Sequence, residues 1–228
     1  MSSYPDWLES LRVGGSTIQG EDLTKFLPPE DANPREGAVL MLFGEGAEGP
    51  DVLLTERSHT MRSQPGQISF PGGGIEPDDD DAIAAALREA KEEVDLEPHR
   101  VEVLATLPRL WLPPSNYAVT PVMAWSSDEI PVRAVDPNEV HTVFRSPIAQ
   151  LLDPEYRVTV THPLGYSSPG FLVGPDHSLL LWGFTAGILN KLFDYVGMTQ
   201  PWDESREHQL PDSMLRGGPP AAMRVEGP

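Results

Sequence analysis

Apolar residues fall in short runs along this chain, and the runs predict strands and helices in no regular alternation. Residues 38–43 (AVLMLF) are apolar throughout, which predicts a strand buried on both faces. The Gly-rich stretch 44–50 reads as a hairpin loop, and 51–55 (DVLLT) as the returning strand. After a long polar loop, a short apolar piece at 68–70 runs into Pro71-Gly72-Gly73-Gly74. Further strands are expected at 101–107, 117–125, 140–144, 156–161 and 178–182. Helical spacing marks 81–94 and 183–196, the latter with Leu189, Leu192, Phe193 and Val196 along one side. Short helices are expected at 5–12, where Trp7, Leu8 and Leu11 share a side, and at 147–152. This mixture predicts an α+β fold rather than a doubly wound one. Three regions follow: a polar, Pro-rich lead-in over 1–35 that packs on the domain and is irregular from 13 onward, a domain over 36–197, and a Pro/Gly-rich tail over 198–228, expected to be flexible and without a core of its own.

The helix at 81–94 carries the most informative polar pattern. Ile83, Leu87, Ala90 and Val94 share one face, expected to pack on the sheet. At about 100° per residue, Glu89, Glu92 and Glu93 fall within an arc of about 100° on the other side. Charged residues on a helix most often form a solvated face. Here the carboxylates occupy the last two turns, where the helix dipole disfavours them, and Glu89 and Glu93 repel at i, i+4. A divalent cation would make the same arrangement attractive, since hard cations take oxygen ligands. Arg88 lies i−4 from Glu92 and can pair with it.

Composition narrows the function classes. There are 16 Lys+Arg against 35 Asp+Glu, a net charge of −19, which argues against binding nucleic acid or an anionic membrane surface. The absence of Cys removes disulfides, thiolate zinc sites and thiol catalysis. No signal peptide pattern opens the chain and no apolar run is long enough to span a bilayer, so a cytoplasmic protein is expected.

Two motifs then coincide. Gly74, five residues, Asp80, seven residues and Arg88-Glu89-Ala90-Lys91-Glu92-Glu93-Val94-Asp95-Leu96 resemble the Nudix box, Gly-x5-Glu-x7-Arg-Glu-U-x-Glu-Glu-x-Gly-U, where U is a bulky apolar residue. The spacing matches throughout. Asp80 stands where the pattern has Glu, and Asp95 where it has a helix-ending Gly. Directly upstream, Leu53-Leu54-Thr55-Glu56-Arg57-Ser58, then Arg62, Gly66 and Phe70-Pro71-Gly72-Gly73, resemble the signature of coenzyme A pyrophosphatases.

The resemblance implies a Nudix fold, a mixed β-sheet sandwiched between α-helices. It implies metal-dependent hydrolysis of the pyrophosphate in coenzyme A or its thioesters, with Mg²⁺ or Mn²⁺ as cofactor and a nucleotide-like small molecule as substrate. Other Nudix substrates (NADH, ADP-ribose, a nucleoside triphosphate) and a non-catalytic Nudix-fold binding protein are the alternatives, and a homodimer is compatible with the family. Carried over to this sequence, Glu89 and Glu93 are metal ligands, with Glu92 a third or indirect one and the Gly73 backbone beside them. Arg88 orients a box glutamate. Asp80 holds Arg88 or caps the helix. Arg57 and Arg62 contact substrate phosphates or pair with surface acids such as Glu56. Gly66, Gly72 and Gly73 shape the phosphate-facing loops. The general base is open between Glu139 and Asp136.

Overall fold

The architecture is that of a computed structural model describing residues 4–26, 32–61, 63–113, 115–162 and 165–210. In chain order the strands are β1 (Arg35–Gly46), β2 (Gly49–Arg57), β3 (Ile68–Ser69), β4 (Gly72–Gly74), β5 (Glu102–Thr106), β6 (Leu110–Leu112), β7 (Tyr117–Trp125), β8 (Val140–Pro147), β9 (Arg157–Thr161), β10 (Ser167–Val173), β11 (Leu179–Leu181) and β12 (Glu207–Gln209). The helices are α1 (Asp6–Thr17), α2 (Gly20–Leu23), α3 (Ala82–Val94), α4 (Ile148–Leu152) and α5 (Gly183–Tyr195).

β1 is the spine of the larger sheet. It pairs in parallel with β7 from Arg35↔Tyr117 to Phe43↔Trp125. Its other edge is divided: β4 takes Gly37 to Val39, and β2 takes Phe43 to Gly46. β2 leaves that edge to pair with β3 at Glu56 and Thr55, and with β8 along its far side. The segment from Ile68 to Gly74 thus fills a wedge between β1 and β2. β1 is buried on both faces, as its unbroken apolar run predicted. Ala38, Leu40 and Leu42 pack under α3, while Met41 and Phe43 join the core beneath α1 and α5. The sheet is therefore covered on both sides by helices, a mixed α+β arrangement. No helix among the described residues is long and apolar enough to cross a membrane.

Several expectations shift in detail. The stretch 44–50 is mostly strand, because the ladder continues through Gly44↔Asp51 and Glu45↔Pro50 to a tight turn between Gly46 and Gly49. The helix expected at 5–12 runs on to Thr17, and a further turn, α2, follows where an irregular lead-in was expected. Gly14 and Gly15 break the propensity pattern there, yet both are buried. The fully buried face of α3 is Ala85, Ala86, Ala90 and Val94, with Ile83 and Leu87 partly buried at its margin. Small side chains bring the helix close to the sheet.

Residues 199–210 return to the domain. Arg157 is fully buried, its guanidinium 5.1 Å from the Phe171 ring centroid and 4.8 Å from that of Trp202. β12 pairs in parallel with β9, and Leu210 is buried. With β10 and β11 these strands form a second sheet. Residues 211–228 lie outside the described residues.

α3 ends as the family pattern requires, though without its glycine. Asp95 adopts the left-handed conformation (φ 57°, ψ 28°), and its carboxylate pairs with Lys91 at 2.9 Å and Arg133 at 3.0 Å. Replacing Asp95 by Ala is expected to destabilise the fold by about 1 kcal/mol, since Ala tolerates that conformation less well. Asp95→Gly should stay within about 0.5 kcal/mol of the parent, backbone relief offsetting the two exposed pairs. Urea unfolding of both variants measures this.

Candidate active site

α3 begins at Asp81, whose carboxylate accepts the Ala84 N–H at 2.8 Å. About two turns later, Arg88 organises the surrounding acids. Its Nε and Nη2 donate to the two Asp79 oxygens, each at 3.0 Å. Nη2 also donates to the Gly74 carbonyl at 2.9 Å, and Nη1 to Glu89 and Glu92, each at 3.1 Å. The Arg88–Glu92 pair is the one expected from i, i+4 spacing.

The two tasks open to Asp80 fall to its neighbours. Asp79 holds Arg88, Asp81 caps the helix, and Asp80 is exposed. The local turn makes the choice: the Asp79 N–H donates to the Glu76 carbonyl at 3.0 Å, and Asp79 Oδ2 accepts the Glu76 N–H at 2.8 Å. The Arg88 guanidinium, helped by that Glu76 amide, holds the Asp79 carboxyl below its ordinary range.

Glu89 and Glu93 face the Gly-rich strand β4. Glu93 Oε2 accepts the Gly72 N–H at 3.0 Å. Gly73 pairs with Ala38 in the sheet and presses against Glu89, so that a Cβ there would lie 2.7 Å from Glu89 Oε2. Only glycine lets the helix carboxylate approach this closely. Glu92 stands at the outer margin, its side chain 58% exposed.

These carboxylates are short of positive charge. Burial pushes Glu89 above its ordinary range, against the pull of Arg88. Burial pushes Glu93 up to about 7; the Gly72 amide and Arg57 oppose it, while Glu89 and Glu139 reinforce it. Partly desolvated oxygens facing one another, with a glycine backbone pressed against one of them, form a donor set that fits a hard divalent cation.

Arg57 and Glu139 approach from other elements. Arg57 ends β2; its charge acts on Glu93, and its buried Nε has no hydrogen-bond partner. Among the described residues it makes no ion pair, and Glu56 pairs instead with His59 at 2.8 Å. Glu139 precedes β8 and is exposed; its carbonyl accepts the Ser58 N–H at 2.8 Å. Asp136 is engaged in its own turn, accepting from the Asn138 N–H at 2.8 Å and from Asn138 Nδ2 at 2.9 Å. Gly66 has φ +69°, and its N–H donates to the Arg57 carbonyl at 3.2 Å. Arg62 lies outside the described residues.

The raised Glu93 has a thermodynamic consequence. A carboxyl whose folded value lies above its unfolded one stabilises fully below the unfolded value, and that contribution is lost as pH rises through the folded one. Metal-free protein should therefore lose melting temperature relative to Glu93→Gln as pH rises from 4.5 past about 7. Divalent metal should reverse the trend. Parallel thermal melts with and without chelator check both.

Residues 33–162 match the model of the NUDIX domain. The uncharacterized Nudix hydrolase NudL of Shigella flexneri is 38% identical over 178 residues, which cover 75% of this chain and 87% of that protein. NudL of Escherichia coli strain K12 is 38% identical over 177 residues, 74% of this chain and 86% of that one. Among solved structures, the Nudix hydrolase RenU from M. smegmatis superposes with a TM-score of 0.51 at 16% identity, covering 82% of this chain and 98% of that one, a likeness of fold. Domain match, sequence relatives and fold agree, and the chain belongs to the Nudix family of hydrolases.

Proposed function

We propose that this Nudix hydrolase splits the pyrophosphate of coenzyme A or its thioesters, giving 3′,5′-ADP and 4′-phosphopantetheine or its acyl derivative. The observation that carries this reading is Arg57: a signature arginine beside Glu93, with a buried Nε left without a partner. A planar guanidinium there suits a phosphate oxygen.

Glu89 and Glu93, with Glu92 and the Gly73 backbone, would hold Mg²⁺ or Mn²⁺. The ion, when bound, supplies neutralising charge to the pyrophosphate and lowers the pKa of a water. Arg88 is a positioning residue, setting the orientation of Glu89 and Glu92 through the anchor at Asp79. Arg57 and Arg62 bind phosphate, and Gly66 and Gly72 shape the loops that present them. Glu139 takes a proton from the attacking water. The water oxygen joins one phosphorus, the bridging P–O bond breaks, and both products leave as phosphate monoesters. The net charge of −19 repels a polyanionic substrate at long range, so binding depends on local positive charge.

Chromatography after incubation with coenzyme A, acyl-CoA, NADH and ADP-ribose tests the substrate. Metal-dependent cleavage of the CoA compounds is expected; intact CoA beside another cleaved dinucleotide sinks the reading. Glu93→Gln should lower turnover by at least about a hundredfold while leaving the fold intact. Asp79→Ala should cost about ten- to a hundredfold through Arg88. Asp80→Ala should stay within about twofold, although Asp80 is the residue at the motif position.

A further inference from the structure

Glu56 is a buried charge that the hydrolytic site leaves unused. It is 6% exposed, and its described ion-pair partner is His59, with Nε2 2.8 Å from Glu56 Oε1. A carboxylate so placed is costly without a cation beside it. His141 stands next to His59, their rings edge-on with centroids 5.0 Å apart. One ligand atom from each of Glu56, His59 and His141 lies within 4.8 Å of the other two.

The backbone builds this cluster at three points. Glu56 pairs with Thr142 and Arg57 with Val140, so His141 is the extra residue of a β-bulge, a device that re-aims a side chain. The Ser58 N–H to Glu139 carbonyl bond ties the end of β2 to the foot of β8. Gly66 lies against the His59 ring, where a Cβ would come 2.9 Å from both Cε1 and Nδ1. The cluster is also separate from the α3 carboxylates. Alternation along β2 puts Arg57 on the face of Leu53, toward α3, and Glu56 on the face of Leu54, toward the opposite core.

We propose that Glu56, His59 and His141 form a second metal site, for a borderline divalent transition ion of the Zn²⁺ class. Two imidazoles and a carboxylate suit such an ion, whereas Mg²⁺ prefers an all-oxygen set. Bonds of about 2.1 Å set tetrahedral ligand atoms about 3.4 Å apart, so an ion would part the direct Glu56–His59 contact at 2.8 Å, and the two exposed histidines can rotate to admit it. The site joins β2, the loop that follows it and β8. An ion there would fix the loop carrying Gly66 relative to Glu139.

The full-length protein is first saturated with Mg²⁺ to occupy the carboxylate centre, then titrated with Zn²⁺ by calorimetry. X-ray absorption at the zinc edge reports the ligands. Binding of Zn²⁺ over excess Mg²⁺ with imidazole scattering is expected. His59→Ala and His141→Ala should each weaken it by at least about tenfold, and Glu93→Gln should leave it within about twofold. Circular dichroism verifies that the histidine variants, both at exposed positions, remain folded. The proposal is overturned if no Zn²⁺ binds over Mg²⁺, if the bound ion shows oxygen ligands only, or if Glu93→Gln rather than His141→Ala abolishes binding.

Discussion

Keeping several carboxylates together, partly out of water and at the unfavourable end of a helix, is the constraint on which this structure depends. Arg88 meets the charge side of it. Its fork satisfies Asp79 with two bonds and still reaches Gly74, Glu89 and Glu92. A lysine could supply the charge but not that many fixed directions. The steric side is met by small residues. Ala85, Ala86 and Ala90 let α3 sit low on the sheet, and Gly73 offers backbone where a side chain would collide with Glu89. Neither arrangement works alone: close packing without Arg88 would leave the acids facing one another in a poorly solvated space.

The divided edge of β1 provides the second half of the site. Because β2 parts from β1 after a few pairs, the chain between Ile68 and Gly74 enters the wedge and lies next to both. That one detour sets β4 under the carboxylates and brings the end of β2, with Arg57, to the same face. The bulge between β2 and β8 then sets His141 beside His59, while Glu139, just before β8, lies where its charge acts on Glu93.

Much of this was legible in the sequence, and the exceptions have physical reasons. The apolar run of β1, the helical spacing of α3 and α5, and the box spacing all express local periodicity, which a linear pattern preserves. The choice among four consecutive aspartates was not legible. Asp78 to Asp81 have nearly the same local chemistry, and only the turn at Glu76 selects Asp79 for Arg88 and Asp81 for the cap. β10 carries Pro169 and Gly170, and the pattern predicts no strand there, yet Ser167 to Phe171 pair with β9. The return of residues 198–210 depends on Trp202 covering Arg157, a contact between residues far apart in sequence. Glu56, His59 and His141 likewise meet only through a bulge, and a bulge leaves no periodic trace.

The parallel pairing of β1 with β7 also governs how the molecule can assemble. Arg57, the glycines of β4 and every acid of α3 lie between those two strands in the chain. The pairing from Arg35↔Tyr117 to Phe43↔Trp125 therefore closes a long loop that contains most of the site. Its closing entropy must be met before the contacts inside it are rewarded, which makes this step intrinsically slow. Within α3 the acids adjoin as soon as the helix forms, but Gly72, Gly73 and Arg57 reach them only through the sheet that holds β4 and the end of β2 beside the helix.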